Sequence, residues 1–283
     1  MELNTVQSGI DSRQYLFSFP IQATAQVPAD FLVPGGLPPL LAGVFLPQAD
    51  VDWLGRRKYP ARILLLAGQE LVIAAHPSAR EPPVRVALDR IESLECGRIL
   101  LLGWIALTWD AGRKRLPFNT TARGPVEAFM EALKSRWLRA APNLEAGQRD
   151  ASRLDLKFEY ARSAELLCGE IPLVQFFHPS VCQKRRRWGL CRERWLPGDL
   201  LAATSRRLLW ITERHKGQWE RYGTVSHSVP LASITGVRCV WAGRCGELQF
   251  AFRCEDSWHV PLREGEEQEA QEFAAAVRAR LVT

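Results

Sequence analysis

Val86-Ala87-Leu88-Asp89-Arg90-Ile91, with Cys96 following, returns later in the chain as Val229-Pro230-Leu231-Ala232-Ser233-Ile234, with Cys239 following. The offset is 143 residues, 229 against 86. Ile105, Leu107 and Trp109 match Leu248, Phe250 and Phe252 at the same 143, and Leu116-Pro117-Phe118 matches Val260-Pro261-Leu262 at 144. Val126, Phe129 and Leu133 match Ala270, Phe273 and Val277, again at 144, with the three- and four-residue spacing of a helix face. Toward the N-terminus, residues 64–73 are matched by 201–210. Gly35-Gly36-Leu37-Pro38, with Phe45 and Pro47, is matched by Gly169-Glu170-Ile171-Pro172, with Phe177 and Pro179. Phe17, Phe19 and Ile21 alternate as one strand face does, and Leu156, Phe158 and Tyr160 are read the same way. Blocks that agree in one order along a whole chain mark a fold written twice.

Each copy reads as short alternating strands first and one helix last. Turn residues break the strands at His76-Pro77-Ser78, Asp110-Ala111-Gly112 and His215-Lys216-Gly217. The second closing helix opens on Glu264, Glu266, Glu267 and Glu269 and ends on Arg278 and Arg280, which suits the macrodipole at both ends. The first has Pro125 in its opening turn and Lys134 and Arg136 in its last. A polar stretch over 139–152, with Pro142 and Gly147, separates the copies. The expected domains are therefore 1–140 and 153–283, joined by a linker at 141–152.

Composition agrees with this division. A chain of 283 residues accommodates two domains of ordinary size, and 47% apolar with 24% charged residues is globular composition. No apolar run reaches membrane-spanning length, and residues 1–9 lack a basic region followed by an apolar one, so neither a span nor a secretory signal is expected. Seven cysteines, with no Cys-x-x-Cys, point to reduced thiols and a cytoplasmic location.

Strands followed by one amphipathic helix, in two consecutive copies, resemble the pleckstrin-homology-like modules of bacteria. The residues that carry the resemblance are 200–212, where Thr204-Ser205-Arg206-Arg207-Leu208 forms a Thr-x-x-Arg-Leu turn ahead of an apolar strand. Residues 66–73 are a weaker copy, with Gly68 in place of Ser205 and Glu70 in place of Arg207. The resemblance implies a mainly β fold with α (α+β): two tandem, strongly bent β-sandwich or barrel modules, each capped by its C-terminal helix. It also implies that lipid or peptide binding would sit in loops at the uncapped end. A fold of this kind names no ligand by itself.

The net charge of +6 is concentrated. Lys184, Arg185, Arg186, Arg187, Arg192 and Arg194 against Glu193 sum to +5, and Trp188 and Trp195 lie among them. Arg presents a planar fork to phosphate, and Trp suits a membrane interface. This segment is expected to be a loop facing an anionic membrane surface, with Arg56, Arg57 and Lys58 beside Trp53 as its first-copy counterpart. The bland reading is a solvated basic hairpin with its tryptophans packed on the sandwich. Nucleic acid is disfavoured, since no RNP-like, helix-turn-helix or zinc-finger pattern accompanies the charges.

His178, Cys182 and Cys191 fall short of the four ligands of a structural zinc site, so no metal and no cofactor are expected. Phosphate-loop, dinucleotide, zincin and nucleophile-elbow motifs are absent. Cys254, Asp256 and His259 cannot all project from one face of a strand, and no catalytic residue is assigned. Cys239, Cys245 and Cys254 read as small buried apolar side chains. The expected function is a non-catalytic docking module, peripheral to the membrane. The alternative is a protein-interaction or oligomerising scaffold that uses a sheet edge or an interdomain groove, and the oligomeric state is left open.

Overall fold

A computed structural model describes residues 17–31, 33, 39–50, 58–120, 123–138, 154–187, 190–215, 218–219, 223–253 and 257–281. For residues 50, 58, 183–187, 190–195, 214, 215, 218 and 219 it describes the backbone alone. The protein is mainly β, with helices between and after the strands. Among the described residues no helix is long and apolar enough to cross a membrane.

The chain divides into two compact units, 1–88 with 117–133 and 89–116 with 134–283. The first holds β1 (Phe19–Ile21), β2 (Leu40–Leu46), β3 (Ala49–Asp50), β4 (Lys58–Tyr59), β5 (Arg62–Ala67), β6 (Glu70–Ala75) and β7 (Val84–Ala87). Five of these form one antiparallel sheet in the order β1-β2-β5-β6-β7, while β3 and β4 pair only with each other among the described residues. The near-continuous apolar runs of β5 and β6 are buried, as strands covered on both faces require. Ile21, Phe45, Ile63, Leu65 and Val72 make the core, and Phe19 stacks on Phe45 with ring centroids 4.7 Å apart.

The second unit opens with β8 (Ile91–Ile99), β9 (Leu102–Trp109) and the first five residues of β10 (Gly112–Asn119), whose end belongs to the first unit; α1 (Arg123–Trp137) likewise divides between the two, after Leu133. After α2 (Leu156–Glu165) come β11 (Pro172–His178), β12 (Val181–Arg187), β13 (Leu190–Leu196), β14 (Asp199–Thr204) and β15 (Arg207–Thr212). They are followed by β16 (Arg214–His215), β17 (Gln218–Trp219), β18 (Gly223–Pro230), β19 (Ile234–Ala242), β20 (Cys245–Phe252), β21 (Ser257–Leu262) and α3 (Glu267–Leu281). One seven-stranded sheet runs β10-β9-β8-β18-β15-β14-β11, and a three-stranded sheet runs β19-β20-β21. Phe176, Leu201, Leu208, Leu248, Phe250 and Phe273 centre the core between these strands and α3.

The ladders recur with one register. In β8–β9, Ile91 faces Trp109, a bulge follows, and Ser93 faces Thr108, then Leu94 faces Leu107 and so on to Ile99 and Leu102. In β19–β20, Ile234 faces Phe252, a bulge follows, and Gly236 faces Ala251, then Val237 faces Phe250 and so on to Ala242 and Cys245. Adding 143 to each residue of the first ladder gives the second, bulge included. The β2–β5 and β11–β14 ladders correspond too, each with a bulge after its first pair, Leu40 with Ala67 and Pro172 with Thr204. Both α1 and α3 are 15 residues long.

One expected strand is a helix. Leu156, Phe158 and Tyr160 lie in α2, whose N-cap Asp155 accepts from the Phe158 N–H at 3.1 Å. Leu156 and Tyr160, four apart, are 81% and 63% exposed, whereas Phe158 is buried under Leu200, Leu209 and Ile211. Three apolar residues two apart read as one strand face, but in a helix each step of two turns about 200°, so Phe158 faces away from Leu156 and Tyr160. The expected linker at 141–152 lies outside the described residues.

Strand β8 also pairs with β18, antiparallel, from Gly223 opposite Ile99 to Ser228 opposite Leu94. Gly97 permits this seam to be covered: a Cβ there would stand 1.9 Å from the Trp104 ring, which lies across the strand. Trp104, Ala106 and Val225 form a small buried cluster at the seam, and the Ser226 hydroxyl donates to the Cys96 carbonyl at 3.2 Å.

Beneath the seam runs a buried polar network. The Arg207 guanidinium donates from Nε to Glu170 Oε1 at 3.0 Å and from Nη2 to Glu170 Oε2 at 2.8 Å. It also donates to the Ser228 hydroxyl at 3.0 Å and to the Glu165 carbonyl. Lys134 of α1 pairs with the Glu165 carboxylate, both buried. Thr204 Oγ1 donates to Glu170 at 2.7 Å and accepts from the N–H groups of Arg206 and Arg207, closing the β14–β15 turn. Burial alone would raise the Glu170 carboxyl, but the Arg207 charge and its hydrogen bonds outweigh it and hold the group below the usual range. Removing one partner of such a pair strands the other charge and costs about 3–5 kcal/mol, while an apolar replacement of both is tolerated better. Arg207→Met is therefore expected to cost about 3–5 kcal/mol in urea unfolding, and Arg207→Met with Glu170→Leu clearly less.

Candidate functional site

The basic segment folds as a hairpin rather than a loop. β12 and β13 pair antiparallel over seven positions, Val181 opposite Leu196 to Arg187 opposite Leu190. Their sheet contains no third strand among the described residues. The register sets Lys184 opposite Glu193, but Arg185 opposite Arg192 and Gln183 opposite Arg194. Arg186 stands opposite Cys191 and Cys182 opposite Trp195. Trp188, at the turn, lies outside the described residues. So do Arg56 and Arg57, whereas Lys58 stands in β4 opposite Asp50. Each ribbon, β3–β4 and β12–β13, lies in sequence between two strands that pair with each other, β2 with β5 and β11 with β14.

The root of the second ribbon is built from buried groups. His178, the last residue of β11, stands opposite Asp199, the first of β14. Its Nε2 lies 2.8 Å from Asp199 Oδ2, and Trp210 Nε1 donates to Asp199 Oδ1 at 3.0 Å. On the other side His178 Nδ1 is 3.4 Å from Glu266 Oε2, an ion-pair distance rather than a formed hydrogen bond. Glu266 also accepts from the Arg263 N–H at 2.8 Å.

The Arg263 fork donates to the Pro179 carbonyl at 2.6 Å and to the Pro197 carbonyl at 2.9 Å, the residues that flank the ribbon on its two sides. Gly198 completes the root: its N–H donates to Glu213 at 2.9 Å, and a Cβ would stand 2.9 Å from the Phe158 ring and from the Ser180 nitrogen. Glu213 is held in turn by Lys157 at 2.7 Å. His178 is thus committed to Asp199 and Glu266, and among the described residues no cluster suited to a metal ion occurs.

A shallow cleft of about 200 Å³ opens over the seam, lined by Glu95, Thr108, Arg113, His227, Ser257 and Trp258. Glu95 and His227 face each other across β8 and β18. Glu95 accepts from Trp104 Nε1 and from Arg113, both at 2.6 Å. Burial would raise its carboxyl, but the His227 charge, the Trp104 bond and the arginines Arg113 and Arg115 together lower it. The His227 ring stacks on Trp210, centroids 4.9 Å apart, and meets Trp258 edge-on at 5.7 Å.

Sequence reasoning missed a second cluster. Ser257 Oγ lies 2.8 Å from His259 Nε2, and His259 Nδ1 lies 3.0 Å from Glu247 Oε2. The order hydroxyl, imidazole, carboxylate is that of a proton relay. Here Ser257 and His259 are exposed and Glu247 is only part-buried, so water competes for each bond. Cys254 and Asp256 lie outside the described residues, and Cys245 is exposed rather than buried. The Ser257–His259 juxtaposition comes from strand spacing of two, which was legible; Glu247 enters only through the β20–β21 pairing.

No protein-family model matches the chain, and no curated protein matches it either.

The root makes one pH dependence explicit. Burial alone would lower the His178 imidazole, but its contacts to Asp199 and Glu266 outweigh burial and raise it above 6.5. The cationic form is the one the fold favours, so its contribution is complete below pH 6.5 and is lost as pH rises through the higher folded value. Urea midpoints of the native chain are expected to fall over that interval, and His178→Gln is expected to remove that part of the fall.

Proposed function

We propose that the chain is a duplicated pleckstrin-homology-like module that docks, without catalysis, on an anionic membrane surface through the β12–β13 ribbon. The observation that carries the reading is the ribbon itself. It holds a net +5 in a two-stranded hairpin whose register sets Arg185 opposite Arg192. Like charges opposite one another destabilise a ladder, and a lone hairpin is marginal in water. A ribbon built this way gains from an anionic counter-surface, and its buried root supplies the stability that its own strands lack.

The duplication is supported by the register shared by β8–β9 and β19–β20 and by the matched bulges of β2–β5 and β11–β14. The boundary between the compact units falls inside the first copy because its last three strands join the sheet of the second.

Each basic residue near an anionic leaflet contributes about 1 kcal/mol, so five give about 5 kcal/mol and a dissociation constant of roughly 0.2 mM. Useful affinity then needs insertion of Trp188 or Trp195, or a second attachment at Arg56, Arg57 and Lys58.

Flotation with phosphatidylcholine vesicles, with and without phosphatidylserine, tests the reading. Binding is expected with phosphatidylserine alone, weakening as salt rises, and lost in Arg185→Glu/Arg186→Glu/Arg187→Glu, which turns the net +5 of the segment into −1. Equal binding to neutral vesicles, or binding unchanged in that variant, contradicts it. The absence of catalysis is checked separately with a fluorophosphonate probe, which is expected to leave Ser257 unlabelled.

A further inference from the structure

We infer that the outer edge of β19 accepts an extended, acidic strand from a partner protein. The inference rests on the duplication, under which β19 is the counterpart of β8, residue for residue at an offset of 143. The outer edge of β8 is filled by residues 223–228 of β18. β19 ends its sheet, and among the described residues no strand lies beyond it. Its backbone therefore offers a row of N–H and C=O groups that the first copy already uses for strand addition. β19 is nine residues long and without proline; its bulge lies at one end, between Ile234 and Gly236, its one charge is Arg238, and Val240 is 43% exposed on it.

Charge selects the occupant. At the internal seam Glu95 faces His227. The residue at the place of Glu95 in the second copy is Arg238, which is exposed. The sign at this position is reversed, so the strand that fits has a carboxylate where β18 has His227.

A second copy of the chain is a poor occupant. The first-copy counterpart of β18 is β7, since Glu70 faces Ala87 as Arg207 faces Pro230. By that correspondence Pro82 and Pro83 stand at the places of Val225 and Ser226, and proline has no N–H to give a ladder. Head-to-tail addition is thereby blocked, and two β19 edges paired about Arg238 would set arginine against arginine.

The test uses a fluorescein-labelled peptide of residues 223–230 carrying the His227→Glu change, titrated into the full chain, with the unchanged peptide as control. The changed peptide is expected to bind roughly two- to fivefold tighter, the value of one opposed charge pair, and Arg238→Glu in the chain is expected to reverse the preference. Amide exchange is expected to show new protection at 237–242. Equal affinities, an unchanged preference in the variant, or salt-sensitive self-association through β19 in sedimentation would overturn the proposal. If 94–99 and 223–228 are protected in the unliganded chain while 237–242 gain nothing, the edge proposal alone fails. If the two seam segments exchange as free edges do, the β8–β18 ladder that serves as the precedent fails with it, while the duplication, which rests on other ladders, stands.

Discussion

The Arg207 guanidinium, wholly buried, is the point on which the second unit turns. It is shared among the Glu170 carboxylate, the Glu165 carbonyl and the Ser228 hydroxyl, while Thr204 fastens both Glu170 and the turn that delivers Arg207. Through these bonds one side chain ties β15 to β18, to the end of α2 and to the segment ahead of β11. Lys134 extends the tie from Glu165 to the last turns of α1. A buried charge tolerates little movement of its partners, because displacement exposes it to a medium that solvates it poorly. On its far side β18 pairs with β8. Lys134 and strands from late in the chain thus share one network.

A second ionic cluster stands under the basic ribbon, built from His178, Asp199, Glu266 and Arg263. It gives the β12–β13 hairpin a fixed base. The two clusters divide the work: the Arg207 network secures the sheet, and the His178 cluster presents what the sheet carries.

Much of this was legible in the sequence. The strand pairs, both closing helices and the Thr204-to-Arg207 turn follow from alternation, charged helix ends and turn chemistry, all local signals. The α2 helix is hidden because apolar residues at Leu156, Phe158 and Tyr160 match one face of a strand, whereas the helix buries only Phe158; Asp155, a ready N-cap, is the local signal for the helix. The partners of Arg207 and His178 were not legible, since Glu170 and Glu266 lie far from them in sequence and ionic pairs leave no periodic trace. The β8–β18 seam was hidden for another reason. Edge pairing depends on the backbone, and its only side-chain hints are the bare Gly97 under Trp104 and the prolines Pro82 and Pro83 on the opposite copy. The basic segment was recognised by composition, but its hairpin register required the fold.

The account stands on β8 and β18 forming one ladder, so the direct measurement is the set of cross-strand proton contacts in solution. Nuclear Overhauser spectra of deuterated, amide-protonated and Hα-selectively labelled protein should connect the backbones of Cys96 with Ser226 and Glu95 with His227. Those contacts at antiparallel ladder strength are the predicted result. Strong contacts from β18 to β15 alone, with none to β8, would contradict it.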